Sequence, residues 1–316
     1  MSVAIRLSDV TKRFNGVTAV DDLTLAVPEG SIYGFIGPNG SGKTTTLRMI
    51  MHILLPDRGR IEVLGSADTA AARDRVSYLP EERGLYKKMT VRRLLRYYGQ
   101  LKGCTVAELD AAIDDWLGRL AMKDWLDRKI ETLSKGMSQK IQFAASVVSR
   151  PSLLILDEPF TGLDPVNAET LKDAVLEMRG RGTTVVFSTH DMSTAERMCD
   201  RIFMIFRGKK VLDGSLEEIQ QQYGFDTVRV RTAGGAAALA GMPGVESVND
   251  YGQLQECHLS GDPQRFLQQL AARTAVQHFE IARPSLHDIF VRIARPPAEP
   301  ALTAPNAQLP TSSVSG

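Results

Sequence analysis

Cysteine is scarce and scattered: Cys104, Cys199 and Cys257 are the only three in 316 residues, and no two form a Cys-x-x-Cys pair. That spacing excludes a disulfide framework and a cysteine-built zinc site, and it fits a reducing compartment. An excess of one charge is lacking too. The chain has 38 Lys and Arg against 37 Asp and Glu, a net +1, so there is no broad basic footprint for nucleic acid. No apolar run approaches the roughly 18 residues a membrane span needs. The opening Met1-Ser2-Val3-Ala4-Ile5-Arg6 has no signal-peptide apolar core. The expectation is a soluble chain whose membrane role, if any, comes through a partner. With 43% hydrophobic and 24% charged residues the composition is that of an ordinary globular protein, long enough for one large domain and a small one.

What the chain does have is organised around Gly37-Pro38-Asn39-Gly40-Ser41-Gly42-Lys43-Thr44-Thr45. This fits the phosphate-loop pattern of Gly, four free positions, then Gly-Lys-Ser/Thr. The glycines let backbone N–H groups point at phosphate oxygens. In that pattern Lys43 reaches the β- and γ-phosphates and the Thr44 hydroxyl ligates Mg²⁺. Residues 31–36 read as a buried strand and 45–55 as a helix. Strand, loop, helix is the setting the pattern requires, because the helix N-terminus adds its dipole to the anion site.

Before the loop, residues 3–7 and 18–27 alternate apolar and polar, which predicts antiparallel strands at an N-terminal edge. Asn15-Gly16 is the hairpin turn signal between them. Phe14, beside that turn, is either a core aromatic or a platform for adenine. After the loop, 60–64 and 75–79 read as strands, and Glu81-Glu82-Arg83-Gly84-Leu85-Tyr86 is a polar loop at a strand's C-terminal end. Ligands of open α/β sheets sit at that end. Residues 91–129 have helical period and predict a small lobe inserted in an α/β core.

Leu133-Ser134-Lys135-Gly136-Met137-Ser138-Gln139 opens a helix that Pro151 stops. Ser134 is placed as its N-cap, and the free N–H groups there are a second potential phosphate site. Residues 153–156 are wholly apolar, as a central parallel strand is, and end in Asp157-Glu158. Adjacent carboxylates at the end of a buried strand are costly unless a metal or ligand neutralises them. Asp157 is the expected Mg²⁺ holder, directly or through water, and Glu158 the base that polarises an attacking water. Asp164-Pro165 caps the next helix. The strand at 183–188 leads to His190, a candidate γ-phosphate contact, and 201–206 with 209–212 read as a closing hairpin.

From Gly224 the composition changes. Strands at 226–231, 245–249, 253–259 and 276–281, with helices at 236–240 and 263–272, give the order βαββαβ of a ferredoxin-like unit. A helix at 284–293 follows, and the proline-rich 295–316 reads as a disordered tail.

With these motifs in hand, residues 3–219 resemble the ATP-binding cassette family, whose motifs appear here in the family's order. The resemblance implies an α/β phosphate-loop NTPase core with an antiparallel β edge and a helical lobe at about 90–150, together residues 1–222, then a small α+β domain at 223–294. It implies ATP and Mg²⁺ as ligands, with Glu81 as a further metal ligand and Asp164 as a nucleotide contact. It also implies that two ATPase subunits pack head to tail, so that Ser134 and Gly136 bind γ-phosphate across the dimer. The motion passes to a membrane-spanning permease through the Glu81 loop and the lobe, which places the chain on the inner face of the cell membrane. No nucleic-acid partner is expected. This chain has Glu81 where the family usually has Gln, and Leu133-Ser134-Lys135-Gly136-Met137 where it has Leu-Ser-Gly-Gly-Gln. The phrases Tyr78-Leu79-Pro80-Glu81-Glu82-Arg83-Gly84-Leu85-Tyr86 and Pro284-Ser285-Leu286-His287-Asp288-Ile289-Phe290 look like the sodium-extruding and drug-resistance exporter branch. The alternative is a soluble cassette ATPase acting on DNA or ribosomes, or a regulator. Cassettes that act on DNA or ribosomes usually carry coiled-coil insertions, zinc cysteines, basic arms or two cassettes, none of which is present in this sequence, and Glu158 with His190 argues against a regulator of little turnover.

Overall fold

The computed structural model describes residues 2–67, 72–82, 84–223 and 227–294. Arg83, Gly224, Asp226 and the expected tail at 295–316 lie outside the described residues. Strands β1 (Val3–Phe14) and β2 (Val17–Pro28) pair antiparallel around Asn15-Gly16. Both turn residues have positive φ, 47° and 84°, as a tight hairpin turn demands. Strand β3 (Ile32–Ile36) leads through the glycine loop into helix α1 (Lys43–Ile50). Helix α1 is shorter than the expected 45–55, because His52 turns left-handed at φ 56°. Strand β4 (Arg58–Val63) then pairs with β1, so the antiparallel edge is three-stranded with β1 in the middle.

Strand β5 (Val76–Leu79) precedes the lobe helices α2 (Val91–Leu101), α3 (Val106–Arg119) and α4 (Lys135–Val147). Strand β6 (Leu153–Asp157), helix α5 (Pro165–Gly180), strand β7 (Thr184–Thr189) and helix α6 (Met192–Met198) follow. Strands β8 (Arg201–Phe206) and β9 (Lys209–Gly214) close the sheet, and helix α7 (Leu216–Tyr223) leaves it. The main sheet runs β5-β6-β7-β3-β8-β9, parallel except for the antiparallel β8–β9 pair. Every residue of β3, β6 and β7 is buried, which is why these segments are continuous apolar runs rather than alternating ones. Leu154 and Leu156 pack toward the lobe helices, while Leu153 and Ile155 pack toward α1 and the three-stranded sheet. The sheet is thus sandwiched between the two layers, and the loop after β3 and the residues after β6 and β7 lie together at the C-terminal ends of its parallel strands.

The C-terminal strands β10 (Thr227–Thr232), β11 (Val245–Asp250), β12 (Gln255–Leu259) and β13 (Val276–Ala282) form an antiparallel sheet in the order β11-β12-β10-β13. Helix α8 (Pro263–Arg273) and a 3-10 turn at Gly235–Leu239 supply its two helical connections. This is the ferredoxin-like strand order, with the first helix reduced to a 3-10 turn. Helix α9 (Leu286–Ala294) ends the described chain.

Candidate functional site

The glycine loop between β3 and α1 is tightly constrained. A Cβ on Gly37 would lie 2.3 Å from the Ile205 carbonyl oxygen, and one on Gly42 2.6 Å from that of Ala19. Gly42 also sits at φ 111°, a left-handed conformation that costs other residues free energy. It starts α1 with no side-chain cap, so the first-turn N–H groups are left for an outside acceptor. The Ser41 hydroxyl is buried with no partner among the described residues. Lys43, only 5% exposed, donates to the Gly37 and Pro38 carbonyls at 2.8 and 3.2 Å. Over the loop lies a cavity of about 250 Å³ whose walls include Asn39, Gly40, Thr44, Thr45, Glu81 and Glu158. Uncapped N–H groups, an orphan hydroxyl and a buried cation together make a seat for phosphate.

Two carboxylates stand opposite, at the end of β6. Asp157 is 1% exposed, and its Oδ1 accepts from Ser188 Oγ at 2.6 Å and from Thr44 Oγ1 at 3.2 Å. Its Oδ2 accepts from the Tyr78 hydroxyl at 3.3 Å. Burial, then the Asp157 charge, pushes the Tyr78 phenol up to about 12, so it stays a donor at neutral pH. Glu158 turns out of the strand at φ 49°, a left-handed conformation for a non-glycine. Strain of that kind collects at functional sites. Its N–H donates to Ser188 Oγ at 2.9 Å, and its Oε2 accepts from Thr161 Oγ1 at 3.0 Å. Glu158 Oε1 lies 3.6 Å from Lys43 Nζ, and Oε2 lies 3.1 Å from His190 Nδ1. A carboxylate only accepts, so Nδ1 carries the proton.

Residues 20–161 match the family described as ABC transporter, and 214–294 match the C-terminal domain of ATP-binding protein DrrA1-3-like proteins. The ABC transporter ATP-binding protein YhaQ of Bacillus subtilis is 38% identical over 91% of this chain and 97% of its own length. The Nod factor export ATP-binding protein I of Sinorhizobium fredii is 33% identical over 92% of this chain and 86% of its own. Among solved structures, one described as the ATP binding subunit of an ABC transporter superposes with a TM-score of 0.66 at 30% identity, over 71% of this chain and 94% of its own. The chain belongs to the ABC transporter ATP-binding family. It is an ATPase, and the seat built by Gly37 to Thr45 belongs to an ATP-binding domain.

Other expected residues of this ABC ATPase lie apart from that seat. Ser134 caps α4, accepting from the Met137 N–H at 3.3 Å, and Gly136 packs against Asn167 of α5, where a Cβ would come within 2.8 Å of Asn167 Nδ2. Asp164 caps α5. The Asn167 N–H and side-chain amide donate to it, holding its carboxyl below the usual carboxylate range. Phe14 is exposed at the rim of the β1–β2 hairpin with Lys12 Nζ 5.4 Å from its ring centre. Ser134, Gly136, Asp164 and Phe14 do not wall the loop cavity; Glu81 does.

Sequence reasoning missed Tyr78, Ser188, Thr161 and Gln139. Buried Gln139 donates to the Pro159 carbonyl at 3.0 Å and so ties α4 to the loop after Glu158. None of the four has a local sequence signature that marks it out.

The residues also fit Mg²⁺. The ion pairs at the site go to Glu158, and among the described residues none goes to buried Asp157, which is held by hydroxyls alone. No three Asp, Glu, His or Cys side chains are grouped as a ready-made metal-ligand set among the described residues. Protein ligands would therefore be a hydroxyl and a carboxylate, with water and phosphate oxygens completing the shell, as Mg²⁺ prefers.

Proposed function

We propose that this chain is the ATP-hydrolysing subunit of an ABC exporter, which binds MgATP, pairs head to tail with a second ATPase subunit and drives a separate membrane permease. The observation that carries the reading is the convergence of Lys43, Thr44, Asp157, Glu158 and His190 at the C-terminal edge of the sheet. In this reading Lys43 leaves neutral carbonyls for phosphate oxygens, a charge-assisted and stronger partnership. Thr44 and Asp157, with Glu81 beside them, hold Mg²⁺, which offsets phosphate charge. Glu158 accepts the proton of the attacking water, and His190 orients the Glu158 carboxylate and contacts the γ-phosphate. Phe14 offers its exposed ring to adenine. Ser134 and Gly136 serve the partner's nucleotide, with Asp164 beside them.

Residues 1–222 form the nucleotide-binding unit in this scheme and 223–294 the accessory unit. Export rather than import is supported by the Nod factor export relative. Among the described residues no helix is long and apolar enough to cross a membrane, so the path itself is assigned to the permease. The test is co-purification from membranes followed by phosphate release. A multi-helix permease that comes out with the chain and stimulates its ATPase is the expected result. A chain recovered with ribosomes or DNA instead, its turnover indifferent to membranes, supports the soluble alternative.

A further inference from the structure

Helix α9 reaches across from the C-terminal unit to the helix that follows His190. Leu286 and Ile289 are fully buried in one cluster with Ile36, Ala195 and Ile202. Ile36 immediately precedes the glycine loop, and Ala195 lies in the middle of α6. Phe290 meets Phe206 edge-on with ring centres 5.5 Å apart. The polar link is more specific. The Leu286 N–H, in the first turn of α9, donates to Glu196 Oε1 on α6 at 2.5 Å. Ser285 and Asp288 cap α9 reciprocally, so the Glu196 carboxylate takes an N–H their cap leaves over. A negative side chain at a helix start is also favoured by the helix dipole.

His190 occupies the short joint between β7 and α6, flanked by Thr189 and by Asp191, the N-cap of α6. Helix α6 has only seven residues, too few to hold its own position without packing. One side of it packs on β3 and β7, and the other meets α9. We infer that Glu196 is a positioning residue for ATP hydrolysis: its clasp on the start of α9 fixes α6, and through it the joint that aims His190 at Glu158. The C-terminal unit is then part of the catalytic alignment. This rests on the reading of His190 as a residue of the hydrolytic set.

The test uses the full chain with its permease. Glu196→Ala removes the acceptor and should lower kcat by roughly 3–10-fold, the scale of a modest misalignment, with KM for ATP within about twofold of the parent. Glu196→Gln keeps an oxygen acceptor and should restore kcat. In a His190→Ala background, Glu196→Ala should cost nothing further, because the residue it positions is gone. Three results overturn the proposal: an unchanged kcat in Glu196→Ala, a loss that appears in KM instead, or full additivity with His190→Ala. Parent-like hydrolysis by His190→Ala alone removes the reading of His190, and the proposal with it. Melting temperature separates a folding defect, which Glu196→Ala would carry into both backgrounds, from the loss of alignment.

Discussion

Helices α1 and α4 each have a glycine at or next to their first residue, Gly42 as the N-cap of α1 and Gly136 in the first turn of α4, and they begin in opposite ways. Helix α1 starts at a left-handed Gly42 with no side-chain cap, beneath a cavity walled by Thr44, Glu81 and Glu158. Helix α4 starts at Ser134, whose hydroxyl already takes the Met137 N–H, and its Gly136 is pressed against Asn167. The first start has a cation, a hydroxyl and uncapped N–H groups for an anion inside its own chain, with the two carboxylates standing opposite. The second has a satisfied cap, and its glycine is closed off by the Asn167 side chain. The contrast is the one the proposed head-to-tail pairing calls for, in which the α4 start would be completed only by a partner's nucleotide.

The sharpest way to sharpen the contrast is Glu158→Gln. It removes the proton acceptor at the α1 site and leaves the α4 start untouched. Turnover should fall by ~10²–10⁴-fold, the range of a lost general base, while ATP still binds. Phosphate release and gel filtration with ATP and Mg²⁺ are the measurements, and a longer-lived ATP dimer is expected. Parent-like turnover moves the base to another group, with His190 next in reach of water. Lys43→Ala attacks the same site by binding rather than chemistry. Losing a charge-assisted contact worth about 1.5–3 kcal/mol should weaken ATP binding by roughly 10–100-fold, read by nucleotide titration.

Ser134→Arg breaks the comparison from the other side. ATP affinity of the single chain should stay within about twofold, because α4 lies away from the loop cavity, yet ATP-driven dimerisation should vanish. A loss of ATP binding by the monomer would make the α4 start part of the same site and end the half-site idea.

The α1 site and the α4 start were unequally legible in the sequence. The glycine loop and Asp157-Glu158 announce themselves because backbone geometry and paired buried carboxylates demand rare residue combinations. Leu153 to Leu156 declared a central parallel strand by its lack of alternation, and 183–188 read as another buried strand. The strand order followed from neither, since pairing is set by contacts between distant segments. Tyr78, Thr161 and Ser188 were invisible for a related reason: each is an ordinary polar residue until the sheet brings β5, β6 and β7 side by side. The Glu196–Leu286 link spans two units and has no local signature, whereas the neighbouring Ser285–Asp288 pair has a capping-box spacing. The first helix of the C-terminal unit shrank to a 3-10 turn at Gly235–Leu239, because a run of small residues carries too little apolar surface to pack a longer one.

The smallest expected effect comes from a residue in that unannounced layer. Tyr78→Phe deletes one hydroxyl and keeps the ring. The bond it removes, 3.3 Å to Asp157 Oδ2, is long, and Ser188 still holds the other carboxylate oxygen at 2.6 Å. Hydroxyls that orient a ligating carboxylate usually matter 10–100-fold to metal affinity, so this long bond should sit at or below the bottom of that range. We expect a roughly 3–10-fold rise in the Mg²⁺ concentration for half-maximal ATPase, with ATP affinity in the absence of metal unchanged. A fall in the Mg²⁺ requirement is the opposing outcome. It would mean that the phenol competes with the cation for Oδ2 rather than aiming it. The pH dependence gives a second reading of the same contact. The phenol is raised from 10.0 in the unfolded chain to about 12 in the fold. Its contribution to stability is therefore fully present below the unfolded value and lost as pH rises through the folded one. Phenylalanine has no proton to lose, so between pH 7 and 11 the melting temperature of Tyr78→Phe should fall less steeply than the parent's. Parallel curves would place the Tyr78 hydroxyl in water instead of on Asp157.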